Sequence, residues 1–314
     1  MKLFYYKDPV GNFGDDLNPL IWYGLAPELF DDDGSEVLVG IGTLINSRAP
    51  VDPVKYVFGS GVGYHTFPNI DDKWKFHCVR GPLSAQRLGL DPSLAITDPA
   101  VLLTQVVPNR PVPKTNMVSF MPHHASSRFA DWKALCEKAG INYIDPSYDI
   151  NETIFQMRQS RVVIAEAMHA AIVADAFRVP WVPVACYDHI LDFKWDDWCR
   201  SLQMQYTPHK IDSIYDMERG FTAEQKFKTS VKRKLQKMGV WTDNWTPPVP
   251  ETNRPQLEDK VVAWLVQMAE RTTPCLSGER EHLESIDRLM EKLDVVRRDM
   301  ARRNGAGAYP RVVA

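Results

Sequence analysis

The stretch RVVIAEAMHAAIVADAFRVPWVPVA, residues 161–185, carries the clearest structural signal in the chain. It opens with an apolar run of strand length at 161–166, continues with an alanine-rich helical pattern at 167–178, and closes with a second apolar run at 180–185. Two short strands joined by one helix are typical of a βαβ unit, because parallel strands need a long crossover connection. The stretch therefore predicts an α/β fold with a mainly parallel sheet.

Strand and helix patterns alternate on both sides of this unit. Before residue 106, strand patterns lie at 2–7, 36–42, 55–63 and 75–81, and helix patterns at 15–25 and 82–89. After residue 116, strand patterns lie at 116–124 and 141–146, and helix patterns at 126–140 and 149–160. The segment between the two series, VVPNRPVPKTN at 106–116, has three prolines in eleven residues, which is typical of an interdomain linker.

The two series predict two Rossmann-like domains that face a cleft, followed by C-terminal helices. We divide the chain into a domain at 1–108, a domain at 114–245, a helical segment at 255–302 and a loose tail at 303–314. No strand is expected beyond residue 190; helices are expected at 195–202, 222–239 and 279–302. Ligands of open parallel sheets bind beyond the carboxyl ends of the strands, so we look for site residues there.

Composition excludes several classes of protein. The chain has 314 residues, a formal net charge of −3 and five scattered cysteines. The small net charge argues against a dedicated nucleic-acid binder, and the odd cysteine count argues against a disulfide framework or a cysteine zinc site. No window approaches the roughly 20 apolar residues of a membrane span. We expect a cytoplasmic protein whose thiols are mostly buried.

The turn after the first strand, GNFGDD at residues 11–16, combines glycines with two carboxylates. Glycine lets the backbone approach a ligand, and a helix N-terminus attracts anions. Acids at a helix start also cap the helix, and Asp15 fits the N-cap position. Two interpretations stay open for Asp15 and Asp16: they stabilise the helix, or one of them contacts sugar hydroxyls or takes a proton. Asn12 bonds either the turn or a ligand.

Three further strand ends in the first half carry candidate residues. The alternate glycines of GSGVG at 59–63 predict backbone N–H groups, at Gly61 and Gly63, that are free to hold an anion. Arg80 ends the next strand and either holds a carboxylate or phosphate or pairs with an aspartate at the surface. Asp98 follows a further apolar run and either contacts a ligand or braces the turn or Arg80.

Histidines follow two strands of the second half. His123 and His124 end the pattern at 116–124, and since neighbouring strand residues point to opposite faces, we expect one to be functional and one structural. His169 lies in the first turn of a helix, where the N-terminus disfavours imidazolium and keeps the ring ready to act as a base. The alternative is that His169 is a buried core residue. Glu166, which lies nearby in sequence, is expected to cap the helix or to orient the histidine.

Three blocks in this order, NFGDDLNPLIW, VRGPLSAQRLGL with TDPA, and AEAMHAAIVADAFRVPWVPV, resemble the polysaccharide pyruvyltransferase family over residues 1–190. The resemblance is to bacterial exopolysaccharide ketal-pyruvyltransferases of the succinoglycan and xanthan type. It implies a two-domain fold similar to GT-B glycosyltransferases and phosphoenolpyruvate as the donor. It also implies a cyclic pyruvate ketal, typically across O4 and O6 of a hexose, as the product. Neither a metal nor a further cofactor is implied.

The resemblance also assigns roles. Arg80 matches the arginine that holds the donor's anionic groups, and His169 matches the histidine of an R-x-H element. The chain departs from that element, because Ala167 replaces its arginine. Other cations must then neutralise the donor: the candidates are Arg161, Arg128 and Lys194.

The predicted site therefore has three parts. His169 and either Asp15 or Asp16 share the acid and base work, and we expect Asp15 rather than Asp16 to face the cleft. The donor-binding residues are predicted to be Arg80, Gly61, Gly63, His123 and His124. The acceptor-binding residues are predicted to be Asn12 and Asp98.

Two other functions fit the same layout. A GT-B glycosyltransferase with a nucleotide-sugar donor has the same two-domain architecture, and fold alone does not separate the two reactions. A non-enzymatic assembly component, organised by the C-terminal helices, is the third hypothesis.

The C-terminal helices raise the question of partners. The basic helix at 222–239 either docks through a narrow apolar stripe or contacts an anionic membrane surface, as expected for a lipid-linked acceptor at the inner face of the plasma membrane. In the helix at 279–302, Arg297 interrupts a coiled-coil seam while Val296 and Met300 continue an amphipathic stripe. We expect this last helix to pack on its own chain, with a dimer as the alternative.

Overall fold

Two parallel β-sheets organise the molecule in a computed structural model, which describes residues 1–8, 11–63, 65–108, 110–187, 189–211, 222–237 and 255–303. The first sheet contains β1 (Lys2–Phe4), β2 (Glu36–Val39), β3 (Val54–Phe58) and β4 (Trp74–Cys78). Its strand order is β1-β2-β3-β4, and all three ladders are parallel. Each crossover therefore advances in the same direction across the sheet.

The second sheet contains β5 (Asn116–Met121), β6 (Asn142–Tyr143), β7 (Ser160–Ala165), β8 (Trp181–Ala185) and β9 (His209–Lys210). Its order is β6-β5-β7-β8-β9, again with parallel ladders throughout. The chain first moves from β5 to β6 and then crosses back to β7 on the other side of β5. This reversal is a topological switch point, the place where open α/β sheets leave a crevice for ligands.

Ten α-helices are described. They are α1 (Phe13–Leu25), α2 (Pro82–Leu88), α3 (Leu103–Val106), α4 (Trp132–Ala139), α5 (Ile150–Gln159), α6 (Met168–Ala176), α7 (Asp192–Ser201), α8 (Ala223–Lys237), α9 (Pro255–Arg271) and α10 (Glu279–Arg303). The α/β class with parallel sheets is confirmed. α9 and α10 occupy the stretch predicted as a C-terminal helical segment, 255–302.

Local signals located most helix ends. Gly89 and Gly140, the last residues of the helix patterns at 82–89 and 126–140, adopt left-handed conformations with φ of 65° and 68° and terminate α2 and α4. Three expectations are wrong. The helix expected at 126–140 begins only at Trp132, after a 3₁₀ turn at Ser127–Phe129. The N-cap of α1 is Asn12 rather than Asp15, so the helix begins two residues earlier than predicted. The two-residue strand β9 lies beyond residue 190, where no strand was expected, because so short a strand leaves no periodic signal.

One buried cluster joins the two sheets. It contains Leu17 and Ile21 of α1, Trp181 of β8 and Leu293 of α10, all at 0% exposure. Helix α6, which connects β7 to β8, is buried on almost all of its faces. This burial explains its alanine-rich sequence. α1 packs against both α5 and α6, so the first helix of the chain lies against the second sheet's helices. The ends of both sheets therefore approach each other around α1.

The last helix packs on its own chain, as predicted. α10 contacts β4 and buries Leu289, Leu293 and Val296, while Arg297 forms an ion pair with Glu28. Leu283, in the second turn of α10, is 52% exposed. The ends of the predicted basic helix, 238–239, and the tail after residue 303 lie outside the described residues. None of the described helices is long and apolar enough to cross a membrane.

Candidate active site

The first turn of α1 lies directly against the ring of His169. A Cβ atom placed on Gly14 would come within 2.0 Å of His169 Nδ1, so only glycine permits this approach. The histidine itself is the second residue of α6, after the loop that leaves β7. The turn after the first strand and the histidine of the second half therefore form one site, across 155 positions of sequence.

The two carboxylates of α1 occupy different environments. Asp16 Oδ2 accepts a hydrogen bond from the backbone N–H of Asn12 at 3.2 Å, so Asp16 stabilises the helix start. Asp15 accepts a hydrogen bond from the Asn12 side-chain amide and is buried, with its Oδ1 beside the loop at Gly42. Burial raises the pKa of Asp15 to about 7, against the lowering effect of Lys194. Asp15 is therefore poised to exchange a proton near neutral pH.

Asp98 lies next to Nε2, the second ring nitrogen of His169. Its Oδ2 lies 3.6 Å from His169 Nε2, and both atoms are buried without a hydrogen-bond partner. Its Oδ1 accepts the backbone N–H of Ala100 at 3.0 Å, which fixes the carboxylate at the start of a short 3₁₀ turn. Because Asp98 is fully buried, this position favours a role in orienting His169 over the predicted contact with the acceptor.

Three histidines gather beyond the carboxyl ends of β5 and β8. The rings of His123 and His124 lie 4.2 Å apart between centroids, and His189 lies 5.1 Å from His123. Glu166, the residue after β7, accepts hydrogen bonds from the backbone N–H groups of His123 and Cys186 at 3.0 Å each. This buried carboxylate thus ties the three strand ends together and holds the histidines in place.

The same histidines are kept neutral by burial and by nearby cations. Burial first, and then Lys194 among other groups, lowers the pKa of His189 to about 4. Burial lowers the pKa of His124 to about 4 as well, and that of His123 well below its ordinary range. Neutral imidazoles beside a lysine donate N–H bonds without adding charge, which suits contact with an anion.

Lys194 is the cation that this cluster shares. It lies in the first turn of α7, is buried, and influences the pKa of Asp15 as well as those of the histidines. Of the other cations considered for the charge missing at Ala167, Arg128 is exposed but close enough to lower the pKa of His124. Arg161 is exposed at the amino end of β7, the opposite end of the strand from the site.

Arg80 is not at the surface. Its guanidinium is fully buried and donates to Asp197 Oδ2, Thr43 Oγ1 and the carbonyl oxygen of Val62 at 3.1–3.2 Å. A Cβ atom on Gly61 would lie 2.3 Å from Arg80 Nη2, so the glycine makes room for the guanidinium. Arg80 thus connects the glycine loop of the first sheet to α7. Its contact with the donor remains a prediction from the sequence.

The predicted anion nest at 59–63 is wrong for Gly61. Its N–H donates to the carbonyl oxygen of Gly42 at 3.0 Å, and the N–H groups of Gly59 and Val62 donate to Cys78 and Ser84. Hydrogen bonds between neighbouring loops therefore occupy these backbone N–H groups, which the glycine pattern predicts to be available for an anion. Gly63 has a φ of +156° and lies against Leu191 and Thr43, beside the start of α7.

Sequence reasoning missed part of this site. His189 follows β8 in the same way as His123 follows β5, so its strand-end position is a signal that was available. Asp197 and Thr43, the partners of Arg80, had no such signal because they lie 117 and 37 residues away in sequence. Among the described residues, no group of three or more histidine, cysteine or acidic side chains is placed to hold a metal ion.

The family model for polysaccharide pyruvyl transferase matches residues 30–189, about half of the chain. The chain belongs to the polysaccharide pyruvyl transferase family. Its relative ExoV, the succinoglycan biosynthesis protein of Rhizobium meliloti (strain 1021), is 41% identical over 214 residues, covering 67% of this chain and 68% of that protein. No solved structure matches the chain.

Membership of the pyruvyl transferase family identifies the protein as a transferase. The matched region includes Asp98, the histidine pair at 123–124, His169 and His189. It ends before α7, so Lys194 lies outside it, as do the carboxylates of α1. The candidate site is thus built from the family region together with two flanking helices.

Proposed function

We propose that this pyruvyl transferase moves pyruvate from phosphoenolpyruvate to a hexose of an exopolysaccharide repeat unit, forms a cyclic ketal and releases phosphate. Family membership supports the group transferred, and the relative named for succinoglycan biosynthesis supports the class of acceptor. The observation that carries the proposal is that the first turn of α1, which holds the buried Asp15, lies against the ring of His169, near the cation Lys194 and a group of neutral histidines.

The donor binds at the carboxyl ends of β5, β7 and β8. Phosphoenolpyruvate carries a phosphate and a carboxylate, which require cations and N–H donors. Lys194 supplies a buried positive charge, Arg128 supplies a second at the rim, and the imidazoles of His123, His124 and His189 supply N–H groups. This set takes the place of the arginine that the family resemblance expects at Ala167.

The first half-reaction adds a hydroxyl across the double bond of the donor. His169, oriented by Asp98, takes the proton from an acceptor hydroxyl, whose oxygen forms a bond to C2 of phosphoenolpyruvate. Protonated Asp15 delivers a proton to C3, which becomes a methyl group. Each proton transfer contributes about 10²–10⁴ in rate. The product is a tetrahedral carbon that bears the methyl, carboxylate, phosphate and sugar oxygen.

The second half-reaction closes the ring. The C–O bond to phosphate breaks, and the second hydroxyl of the same hexose forms its bond to C2. The proton of that hydroxyl leaves with the phosphate, and Asp15 recovers the proton held by His169. The overall change is one phosphoenolpyruvate and two hydroxyl groups converted to one ketal and one phosphate.

The proposal also includes the linkage of the ketal, the form of the acceptor and the place where the enzyme acts. We expect a 4,6-linked ketal, a lipid-linked acceptor and a two-domain architecture similar to GT-B enzymes, acting in the cytoplasm at the inner membrane face. α8 supports peripheral contact, because Phe227 is 71% exposed on a helix rich in lysine. A dimer stays an open alternative, although α10 uses its apolar stripe within the chain.

A mass measurement tests the proposed function. The enzyme is incubated with phosphoenolpyruvate and a succinoglycan repeat-unit oligosaccharide from which mild acid has removed any ketal. We expect a mass gain of about 70 Da, pyruvate less water, together with one phosphate released per product, as the ketal-forming chemistry requires. Turnover with a nucleotide-sugar donor in place of phosphoenolpyruvate supports the glycosyltransferase alternative and contradicts the proposal.

A further inference from the structure

Two faces of helix α7 contact different parts of the molecule. On one side Lys194 approaches the histidines and Asp197 holds Arg80. On the other side Asp192, Asp196 and Arg200 recur at four-residue spacing and line an open groove. The groove therefore begins one helix width from the proposed donor.

The groove is large enough for more than a single contact. Its volume is about 790 Å³, within the range of about 300–1,000 Å³ typical of small-molecule sites. The walls come from α7 and from the segment 203–208 that leads into β9. All of these residues lie beyond residue 189, where the match to the family model ends. The groove thus adjoins the shared catalytic region without belonging to it.

The lining suits a neutral, hydroxyl-rich ligand. Two carboxylates, Asp192 and Asp196, are balanced by two cations, Arg200 and Lys210, so the part of the lining that the structure describes has no formal net charge. A phosphate-rich ligand would call for an excess of cations, which is absent from this lining. Amide and hydroxyl groups add donors and acceptors of both kinds, as sugar hydroxyls require: Gln203, Gln205 and Thr207.

Two aromatic rings complete the lining. Phe193 lies at the start of α7, close to Gly63 at the edge of the catalytic region. Tyr206 stacks on Trp195 at 5.1 Å, and its hydroxyl is buried without a hydrogen-bond partner. Aromatic faces with polar groups around them are the combination that binds a pyranose ring, which is apolar on its C–H face and polar at its edge.

We infer that this groove binds sugar residues of the acceptor oligosaccharide beyond the hexose that receives pyruvate. The inference rests on the proposed function, because it takes a saccharide as the acceptor. It assigns the selection of the acceptor chain to the side chains that line the groove, separate from the acid–base chemistry at α1 and α6. An oligosaccharide then binds more tightly than a single hexose by the contacts made in the groove.

Two substitutions test this assignment, Gln205→Ala and Arg200→Ala. Gln105→Ala and Arg298→Ala, at exposed positions of α3 and α10, are the matched controls. Binding of the acid-treated succinoglycan oligosaccharide is measured by titration calorimetry without donor. Pyruvyl transfer kinetics are then measured with that oligosaccharide and with a methyl hexoside. We expect each groove variant to weaken oligosaccharide binding, and raise its KM, about three- to tenfold.

The two acceptors separate the possible outcomes. The inference is supported when the KM for methyl hexoside and for phosphoenolpyruvate stays unchanged in the groove variants. It is overturned when both acceptors are affected alike, or when neither is affected. Oligosaccharide binding that weakens in the groove variants without any pyruvyl transfer in the unaltered enzyme supports the groove and contradicts the proposed function instead.

Discussion

The two sheets differ in how their crossovers run, and the difference separates scaffold from chemistry. In the first sheet every crossover advances in one direction, and the loops beyond its strands bond to one another through Gly42, Gly61 and Arg80. In the second sheet the order reverses at β5 and β7, and the loops there present His123 and His169. Reactive groups thus collect where a reversal leaves a crevice.

The first sheet still contributes to the site, but through a helix rather than its loops. α1 packs against α5 and α6 and places Gly14 and Asp15 at the reversal in the second sheet. The comparison teaches that one sheet supplies the rigid wall while the other supplies most of the titratable groups. Four substitutions test this division, in order of decreasing expected effect.

Removing the histidine at the reversal should have the largest effect. His169→Ala is expected to lower the rate of pyruvyl transfer by about 10²–10⁴, because a general base is lost. Phosphate release from phosphoenolpyruvate in the presence of the oligosaccharide measures the rate. His77→Ala, in β4 on the side near Lys292 and Asp299 of α10, is the matched control and should keep full activity. A His169→Ala enzyme with unchanged turnover would falsify the assigned role.

The scaffold side is tested at Arg80. Arg80→Met should lower the free energy of unfolding by about 3–5 kcal/mol, because Asp197 would be left as a buried, unpaired charge. Urea denaturation measures the change. Adding Asp197→Asn to the same chain should recover part of the loss by removing that charge. If the double variant is no more stable than Arg80→Met, the ion pair is not what the scaffold depends on.

The buried carboxylate of α1 should make stability depend on pH. The pKa of Asp15 is about 7 when folded against an ordinary value of 3.8, so the unfolded chain releases this proton first. Folding stability is then lost as pH rises from about 4 towards 7, by at most about 4 kcal/mol. Asp15→Asn should therefore be more stable than the unaltered protein at pH 8, with the advantage shrinking at lower pH.

Unfolding in urea at several pH values measures this effect, with Asp16→Asn as the neighbouring control. The side chain of Asp16 accepts a bond from Asn12 at the helix start, so its substitution should give no such gain at pH 8. An Asp15→Asn advantage that is the same at every pH would contradict the raised pKa as its cause.

The smallest effect is expected at Asp98. Asp98→Asn keeps the shape of the side chain and its bond to Ala100 but weakens the attraction to His169. We expect pyruvyl transfer to fall about ten- to a hundredfold, since orientation of the base is lost while the base itself stays. The KM for phosphoenolpyruvate should stay unchanged, because Asp98 is assigned to the orientation of His169 and not to donor binding. An unchanged rate of pyruvyl transfer would show that Asp98 serves only the 3₁₀ turn.

Much of the fold could be predicted because its signals are local. Glycines at helix ends, apolar runs of strand length and alanine-rich helices act within a few residues, and the strand ends pointed to Arg80, His123 and His169. The sequence alone could not show whether the backbone N–H of Gly61 is free to bind an anion, because that depends on a hydrogen bond to a neighbouring loop. Likewise β9 is formed by its pairing with β8 rather than by its own two residues.

By itself, the sequence determined the α/β class, the family and the residue types of the site, since these depend on periodicity and on short motifs. Only the tertiary structure decided that Gly14 admits the ring of His169, that Arg80 pairs with Asp197, and that Asp15 rather than Asp16 is buried beside Lys194. The physical reason is that burial and close approach are properties of neighbours brought together by crossovers, and a pKa follows from those neighbours.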